Sequence, residues 1–563
     1  MDRTLLLGPF KDGDKVALLR ALILKEEFVE TASSTEAREG DTVSDPVVWY
    51  RIIDAIRSWY QDEIGALECD GRGGLPEDVL VAARIFCLSN DELYFLESSS
   101  ELRKALNHRN EAAALSLIQQ KVAESNFPGA KQEFIRNLDR YCSSLWDQFH
   151  DISSFPLEMG HEEQGDDTKA FLSWSVDRGI KSRLVLGNFQ PHGIRGCMAE
   201  EDICVGDDIL SIPQEILMYD ETVLQTDVGK MLSVIPGLSM DNLLIVFTMI
   251  DRWDDDSIWR PFWKQLPDAF KTGISFHSSV VDLLQGSAAF DEIKKAQNHV
   301  QEQFKASTHL FDILVSAYPM YLNKDMFTYE KYVWAVELWY SYAFEVEFPP
   351  SIKSKTVMVP FACLVNHSPW PHVVRYGKMD MTSKCLRYPS FRPCKKGEQA
   401  FISYGPVPNM KLMAYYGFAI DENPHDIVPL TLEIASKQNE KVQKALESIS
   451  VTLEHNLRNG PISRKLTACL RVLVSDSNEL EDIITGKKNP LQESINQSNE
   501  RQAKQTLHSA LKGVHDSLKK SLEQFDDKKI PDDWKLSASF CKVYLQNQYS
   551  ILENCLEALS VPT

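Results

Sequence analysis

Two short stretches hold the side chains best suited to chemistry. FACLVNHSPW (361–370) ends an apolar run on an adjacent amide and imidazole, Asn366 and His367. FISYGPVPNMKLMAYYGF (401–418) then carries Tyr404 before one glycine, with Tyr416 and Phe418 on either side of another. Asn offers donors and acceptors at once, and neutral His offers one of each. Taken alone, either stretch also reads as ordinary core, with the His satisfied by a backbone carbonyl and the Tyr packed. Other constellations are weaker. Cys363, Cys385 and Cys394 come closest to a metal cluster, but their spacing fits no zinc pattern. Gly187, Gly193 and Gly196 lack the G-x-G-x-x-G spacing and open no βαβ unit, which argues against a dinucleotide fold.

The elements that must position these residues alternate between helix and strand. Residues 15–29, 47–60, 77–88 and 130–149 carry apolar residues at helical spacing, and 31–46 is a polar loop. An acidic, apolar-poor break at 155–168 leads into strand-like runs at 182–189 and 207–213. Helical patterns fill 222–340 and its edge, as at 241–253 and 332–344, and strands return at 356–365, 372–377 and 399–405. Beyond 430 the chain is charged and helical. Leu507, Leu511, Val514, Leu518, Leu522 and Phe525 form one helical stripe, and a partner helix is expected after Pro531, giving a local hairpin.

The 563 residues suffice for three or four domains, and a formal net charge of −21 argues against nonspecific nucleic-acid binding through a basic surface. The 11 Cys form no C-x-x-C pair or compact framework, which fits reduced thiols inside the cell. No run of 18 apolar residues suggests a membrane span, and the N-terminus resembles neither a signal nor a transit peptide. The expected location is therefore cytoplasm or nucleus, with no membrane, nucleic-acid or metal partner.

HGIRGCMAEEDICVGDDILSIP (192–213) resembles the opening strand pair of a SET domain, through Ala199, Asp202, Ile203, Gly206, Leu210 and Pro213. SIWRPFWKQLP (257–267) resembles a stretch in the insert of the Rubisco large-subunit methyltransferase-like class. VNHSP, ISYG and the N-x-x-L-x-x-x-YGF run follow in that class's order, so the likeness covers roughly 175–430 and continues loosely beyond. The resemblance implies an α+β multidomain chain. A β-rich SET domain at 166–430, with a helical insert at about 222–340, would lie between an N-terminal helical region (1–165) and a C-terminal all-helical substrate-binding domain (431–563).

The same resemblance implies S-adenosyl-L-methionine as cofactor and a folded non-histone protein as substrate, methylated on lysine. Gly193, Ile194 and Arg195 would approach the cofactor through their backbone, with Ser341, Asn366, His367 and Tyr404 in the same site and Phe418 against the adenine. Asn366 and His367 suit a ligand bearing both an ammonium and a carboxylate. Tyr404 would be catalytic, orienting the methyl and the amine rather than acting as a strong base. Tyr416, Tyr342 and Cys363 would line the substrate channel. Two of these depart from the class: Tyr342 stands where Arg is common, and Cys363 where Asp is common. A neutral phenol cannot reproduce the bidentate charge pairing of Arg. Those departures leave open a non-catalytic binding module, and pocket shape leaves open methylation of histidine.

Overall fold

The computed structural model describes residues 113–115 and 158–560, apart from 191, 192, 205, 236, 237, 352, 375, 378, 435–438, 460 and 461. The helices expected at 15–29, 47–60, 77–88 and 130–149 lie outside these residues. From 158 onward the described chain opens on β1 (Gly160–Glu162). Helix α1 (Asp166–Asp177) follows, with Asp166 and Asp167 in its first turn, where backbone N–H groups favour negative charge. It buries Phe171 and Trp174 against the strands that come next.

Those strands are β2 (Lys181–Ser182), β3 (Leu184–Phe189), β4 (Ile194–Ala199) and β5 (Asp208–Pro213). The helical insert includes α2 (Met240–Asp251), α3 (Ala288–Ala317) and α4 (Tyr329–Tyr342), capped by Ser239, Ser287 and Thr328, whose hydroxyls accept from backbone N–H groups. In α3 the buried Ala289, Ile293, Ala296, Val300, Phe311 and Leu314 recur at helical intervals. Helix α4 is buried on most sides, and at Ala343 the backbone turns extended (ψ 153) straight into β6 (Ala343–Glu347). Ser341 and Tyr342 are therefore held in the last turn of a packed helix.

The hairpin partner of β6 is β7 (Ser354–Met358), and the run expected as one strand over 356–365 breaks there. Phe361 adopts φ +75, a 3-10 turn covers Ala362–Leu364, and only then comes β8 (Asn366–His367). The expected strand at 372–377 does not form. Val373 makes a single parallel bridge to Ile402, and the pairing does not extend into a ladder among the described residues. Strands β9 (Met379–Asp380), β10 (Cys385–Pro389) and β11 (Gln399–Ile402) complete this half.

One sheet has the order β1-β3-β4-β11-β8 and the other β2-β5-β10-β9. In the first, β11 is antiparallel to β4 and parallel to β8, with Phe401 opposite Asn366 and Ile402 opposite His367. The Asn-His pair is thereby threaded beside the strand that leads into Tyr404.

The C-terminal part is helical apart from one strand. Strands β12 (Val428–Thr431) and β13 (Glu454–Leu457) pair antiparallel around α5 (Asn439–Ser448). The all-helical expectation missed β13 because its partner lies upstream of the charged region, where a strand of four residues leaves little trace. Helices α6 (Arg464–Leu473), α7 (Ser477–Ile484), α8 (Gln497–Glu523) and α9 (Lys535–Ser560) follow, and the last two pack together as the apolar stripes imply. Their core extends past 430 to include Phe276, Val280, Ile293, Met413 and Ala419. Among the described residues no helix is long and apolar enough to cross a membrane.

Candidate active site

Two cavities meet at one wall. The first, of about 700 Å³, reaches from Glu163, Arg195 and Gln265 to Asn366 and Phe418. The second, of about 460 Å³, is bounded by Phe344, Glu345, Tyr376 and Pro406. Ser341, Tyr342, Cys363, Tyr404 and Tyr416 line both. Helix α4 supplies the first two, the turn after Phe361 supplies Cys363, and the exit of β11 supplies Tyr404.

Each side chain in this wall is fixed. The Ser341 hydroxyl donates to the Tyr415 carbonyl at 2.6 Å, and the Tyr342 ring meets Phe270 edge-on at 5.6 Å. The Tyr404 hydroxyl donates to the Val365 carbonyl at 2.9 Å. Its ring stacks on His367 and on Tyr416, each at 5.1 Å. Gly417, at φ +83, turns the chain between Tyr416 and Phe418 where a Cβ would lie 2.2 Å from the Lys271 carbonyl. Only glycine fits that position. Phe418 sits 6.3 Å from Tyr416 and 6.4 Å from Phe540, so helix α9 backs the aromatic row.

Burial controls the electrostatics. It pushes the Tyr404 phenol well above its ordinary value, with Tyr342 and Tyr416 adding to the effect. The Tyr342 phenol and the Cys363 thiol are raised chiefly by burial as well. Tyr404 is thus a hydroxyl, not a phenolate base. Burial lowers His367 to about 4, so its ring is neutral. Its Nδ1 accepts from the Tyr404 backbone N–H at 3.0 Å, which assigns the proton to Nε2.

The residues expected from sequence divide into three groups. Arg195, Ser341, Tyr342, Cys363, Asn366, Tyr404, Tyr416 and Phe418 all line the first cavity. His367 lies behind that lining and acts on it through Tyr404. Gly193 and Ile194 are exposed at the outer end of β4 and do not line it. Gly196 takes the close approach instead, because a Cβ there would lie 2.6 Å from Asn366 Nδ2 and 2.7 Å from Gln399 Nε2. Asn366 Nδ2 donates to the Arg195 carbonyl at 3.0 Å, tying β8 to β4. Sequence reasoning missed Gly196, Glu163 and Gln265. The second glycine of GIRGC and the Gln of WKQLP were visible signals, whereas nothing local marks Glu163.

Cys363, Cys385 and Cys394 do not form the metal-like group. Among the described residues the cluster that does form is His372, Cys394 and Glu398, with ligand atoms within 4.8 Å of one another. Its groups are already used. His372 accepts from the Phe401 N–H at 3.0 Å and meets Glu398 at 3.1 Å, and Arg392 donates to the same carboxylate at 3.2 Å. Burial alone would raise Glu398, but hydrogen bonds from His372 and the Lys395 N–H hold it at about 2. The Arg392 guanidinium already supplies the positive charge, so the cluster reads as a structural network beside β11.

Comparison with known proteins agrees with this architecture. Residues 433–557 match the family model described as Rubisco LSMT substrate-binding. Actin-histidine N-methyltransferase of Gallus gallus is 24% identical over 362 residues, 61% of this chain and 60% of that protein. The Homo sapiens counterpart is 26% identical over 325 residues, 56% of this chain and 54% of that protein. The match thus spans less than two thirds of these relatives' length. Among solved structures, the SET domain of LSMT bound to lysine and AdoHcy is 19% identical, covering 70% of this chain and 92% of that one, with a TM-score of 0.52. Rubisco LSMT bound to sinefungin and monomethyllysine is 21% identical, with 70% and 94% coverage and a TM-score of 0.50. The fold is a SET fold, followed by a helical domain that matches the Rubisco LSMT substrate-binding model.

Proposed function

We propose, from a SET fold joined to a Rubisco LSMT substrate-binding domain, that this chain is an S-adenosylmethionine-dependent protein N-methyltransferase. The acceptor is a lysine of a folded non-histone protein. The observation that carries this reading is the shared wall: one row of side chains closes a polar cavity on one side and an aromatic one on the other. Such a wall lets a donor and an acceptor meet while each keeps its own chamber.

The first cavity fits the cofactor. Its size lies within the range of small-ligand pockets. Phe418 and Tyr416 offer flat faces for a base, Asn366 offers an amide, and Arg195 with Glu163 offers both charges. Gly196 lets the β4 backbone come close, and Gly193 and Ile194 lead into it. When bound, the cofactor supplies an electrophilic methyl group.

The chain's own residues do the rest. Tyr404, raised well above its ordinary range by burial, keeps its proton and donates a hydrogen bond to the Val365 carbonyl. Its lone pairs remain to accept from an amine N–H and align the nitrogen. His367 fixes the Tyr404 backbone, and Tyr342, Cys363 and Tyr416 exclude water, which favours a neutral, attacking amine. The second cavity is lined by Phe344, Tyr376, Tyr404 and Tyr416 beside Glu345. This aromatic setting with one carboxylate suits a cationic amine, which releases its proton to solvent before attack. That favours lysine. The curated relatives are named as actin-histidine methyltransferases, which favours histidine as a second reading.

Full-length protein incubated with methyl-labelled S-adenosylmethionine and cell extract should label a protein whose methyl group fragments to a lysine side chain. A methyl on imidazole would select the second reading. Cofactor binding without any transfer would leave a binding module, and loss of both would sink the proposal.

A further inference from the structure

The charged groups of the first cavity still need a purpose. Its acids are Glu163, Asp166 and Asp167, and its cations are Arg195 and Lys264. Lys264 and Asp167 pair at the open rim, with side chains 47% and 61% exposed. Arg195 and Glu163 pair deeper, Nε to Oε2 at 2.7 Å, with side chains 33% and 28% exposed.

Arg195 is aimed by its surroundings. Nη1 donates to the Gln265 carbonyl at 2.5 Å and Nη2 to Gln265 Oε1 at 2.6 Å. Gln265 is buried and donates to the Asp167 carbonyl at 2.9 Å, so the support does not move. Asn366 holds the Arg195 backbone from the other side. A guanidinium has five N–H donors. Three are engaged by these contacts, and two remain. Tyr342, the nearby phenol on the wall, carries no charge with which to bind a carboxylate.

We propose that the Arg195–Glu163 pair is the receptor for an α-amino-acid zwitterion, with the ligand carboxylate on Arg195 and its ammonium on Glu163. This rests on the S-adenosylmethionine reading and assigns the methionine end to that corner of the cavity. An α-amino acid carries both charges on one carbon, so its site needs an anion and a cation a few ångströms apart. The pair provides that arrangement. A pair this exposed to water is weak, so opening it costs little. The two new charge-assisted hydrogen bonds replace it. The opposite end of the cavity is aromatic, which sets the ligand's direction.

Three probes separate the charges: S-adenosylmethionine, its decarboxylated form, and methylthioadenosine, which lacks the amino-acid group. Calorimetry on the full chain compares wild type with Arg195→Gln and Glu163→Gln. Arg195→Gln should weaken S-adenosylmethionine roughly tenfold or more, leaving the other two probes unchanged or tighter. Glu163→Gln should weaken both amine-bearing probes and spare methylthioadenosine. Retained methylthioadenosine binding in the variants serves as the control for folding, and Arg195→Met substitutes if Arg195→Gln does not fold. Equal weakening of all three probes, or no weakening in either variant, overturns the assignment. Wild type binding methylthioadenosine as tightly as S-adenosylmethionine overturns it too while sparing the cofactor reading. Wild type binding none of the three overturns the cofactor reading itself.

Discussion

The Tyr404 hydroxyl and the Val365 carbonyl are joined by a 2.9 Å hydrogen bond across the crossing of β8 and β11. The bond does two things. It anchors a ring shared by both cavities, and, on the proposed function, it occupies the hydroxyl proton so that the oxygen lone pairs are left to accept from the acceptor's N–H.

Tyr404→Phe keeps the ring and deletes this bond. Stability should fall by about 1 kcal/mol. Single-turnover methyl transfer should slow by roughly 10²-fold, the scale for losing one preorganised polar group. A urea melt and a quench experiment on the same variant distinguish the roles: intact transfer would leave Tyr404 a packing residue.

Asn366→Ala removes the donor to the Arg195 carbonyl and leaves that acceptor without the partner it has now. The thermal shift produced by saturating S-adenosylmethionine should shrink to a small fraction of its wild-type size. Gly196→Ala should do the same by another route, since the new methyl would lie within 2.7 Å of Asn366 and Gln399 amide nitrogens. A full ligand-induced shift in both variants would move the cofactor elsewhere.

Helix α9 holds the loop that carries Phe418. Asn547 Nδ2 donates to the Ile420 carbonyl at 2.8 Å and Gln548 Nε2 to the Ile427 carbonyl at 2.9 Å. Substituting both by Ala should cost about 2 kcal/mol of stability. It should also weaken S-adenosylmethionine several-fold, about 1 kcal/mol, although neither residue lines the cavity. Unchanged affinity in a destabilised variant would confine the C-terminal domain to holding protein substrate.

Acid should unfold the chain early. His367, His372 and His425 are each lowered from 6.5 to about 4, chiefly by burial. The unfolded chain binds these protons near pH 6.5 and the folded chain does not. Their contribution is therefore complete above pH 6.5 and is lost progressively as pH falls toward 4. Asp426, raised to about 6 by burial, opposes this, because its stabilising contribution is lost as pH rises through 6. Glu158, Asp251 and Glu337 are also raised by burial and act with Asp426, whereas His455 and Glu398 are lowered and act with the imidazoles. The three imidazoles carry the larger combined shift and set the sign. Denaturant melts at pH 7.5, 6, 5 and 4.5 should show a steady fall, and a flat profile would contradict buried, neutral imidazoles.

The tyrosines, the Asn-His pair and the order of helices and strands were legible because motif spacing and apolar periodicity are local properties. The residues around them were not. Glu163 reaches the cavity because β1 pairs with β3, with Glu162 opposite Gly187, and no local pattern announces that pairing. Gly193 looked like the close-approach glycine, yet register sets Gly196 opposite Gly187 and beside Asn366. The run at 372–377 has strand-like composition, but among its described residues only Val373 pairs, through one bridge to Ile402. Tertiary placement decided each of these.

The five side chains common to both cavities cannot be tuned for one partner without disturbing the other. Phe344, Glu345, Val374, Tyr376 and Pro406 line the second cavity and not the first. On the proposed function, divergence in the acceptor is therefore free to accumulate on β6 and the loop after Tyr404, while the first cavity stays as it is. If the proposed function holds, a lineage could re-aim this protein from one amino-acid target to another there, and its dependence on the donor would pass through unaltered.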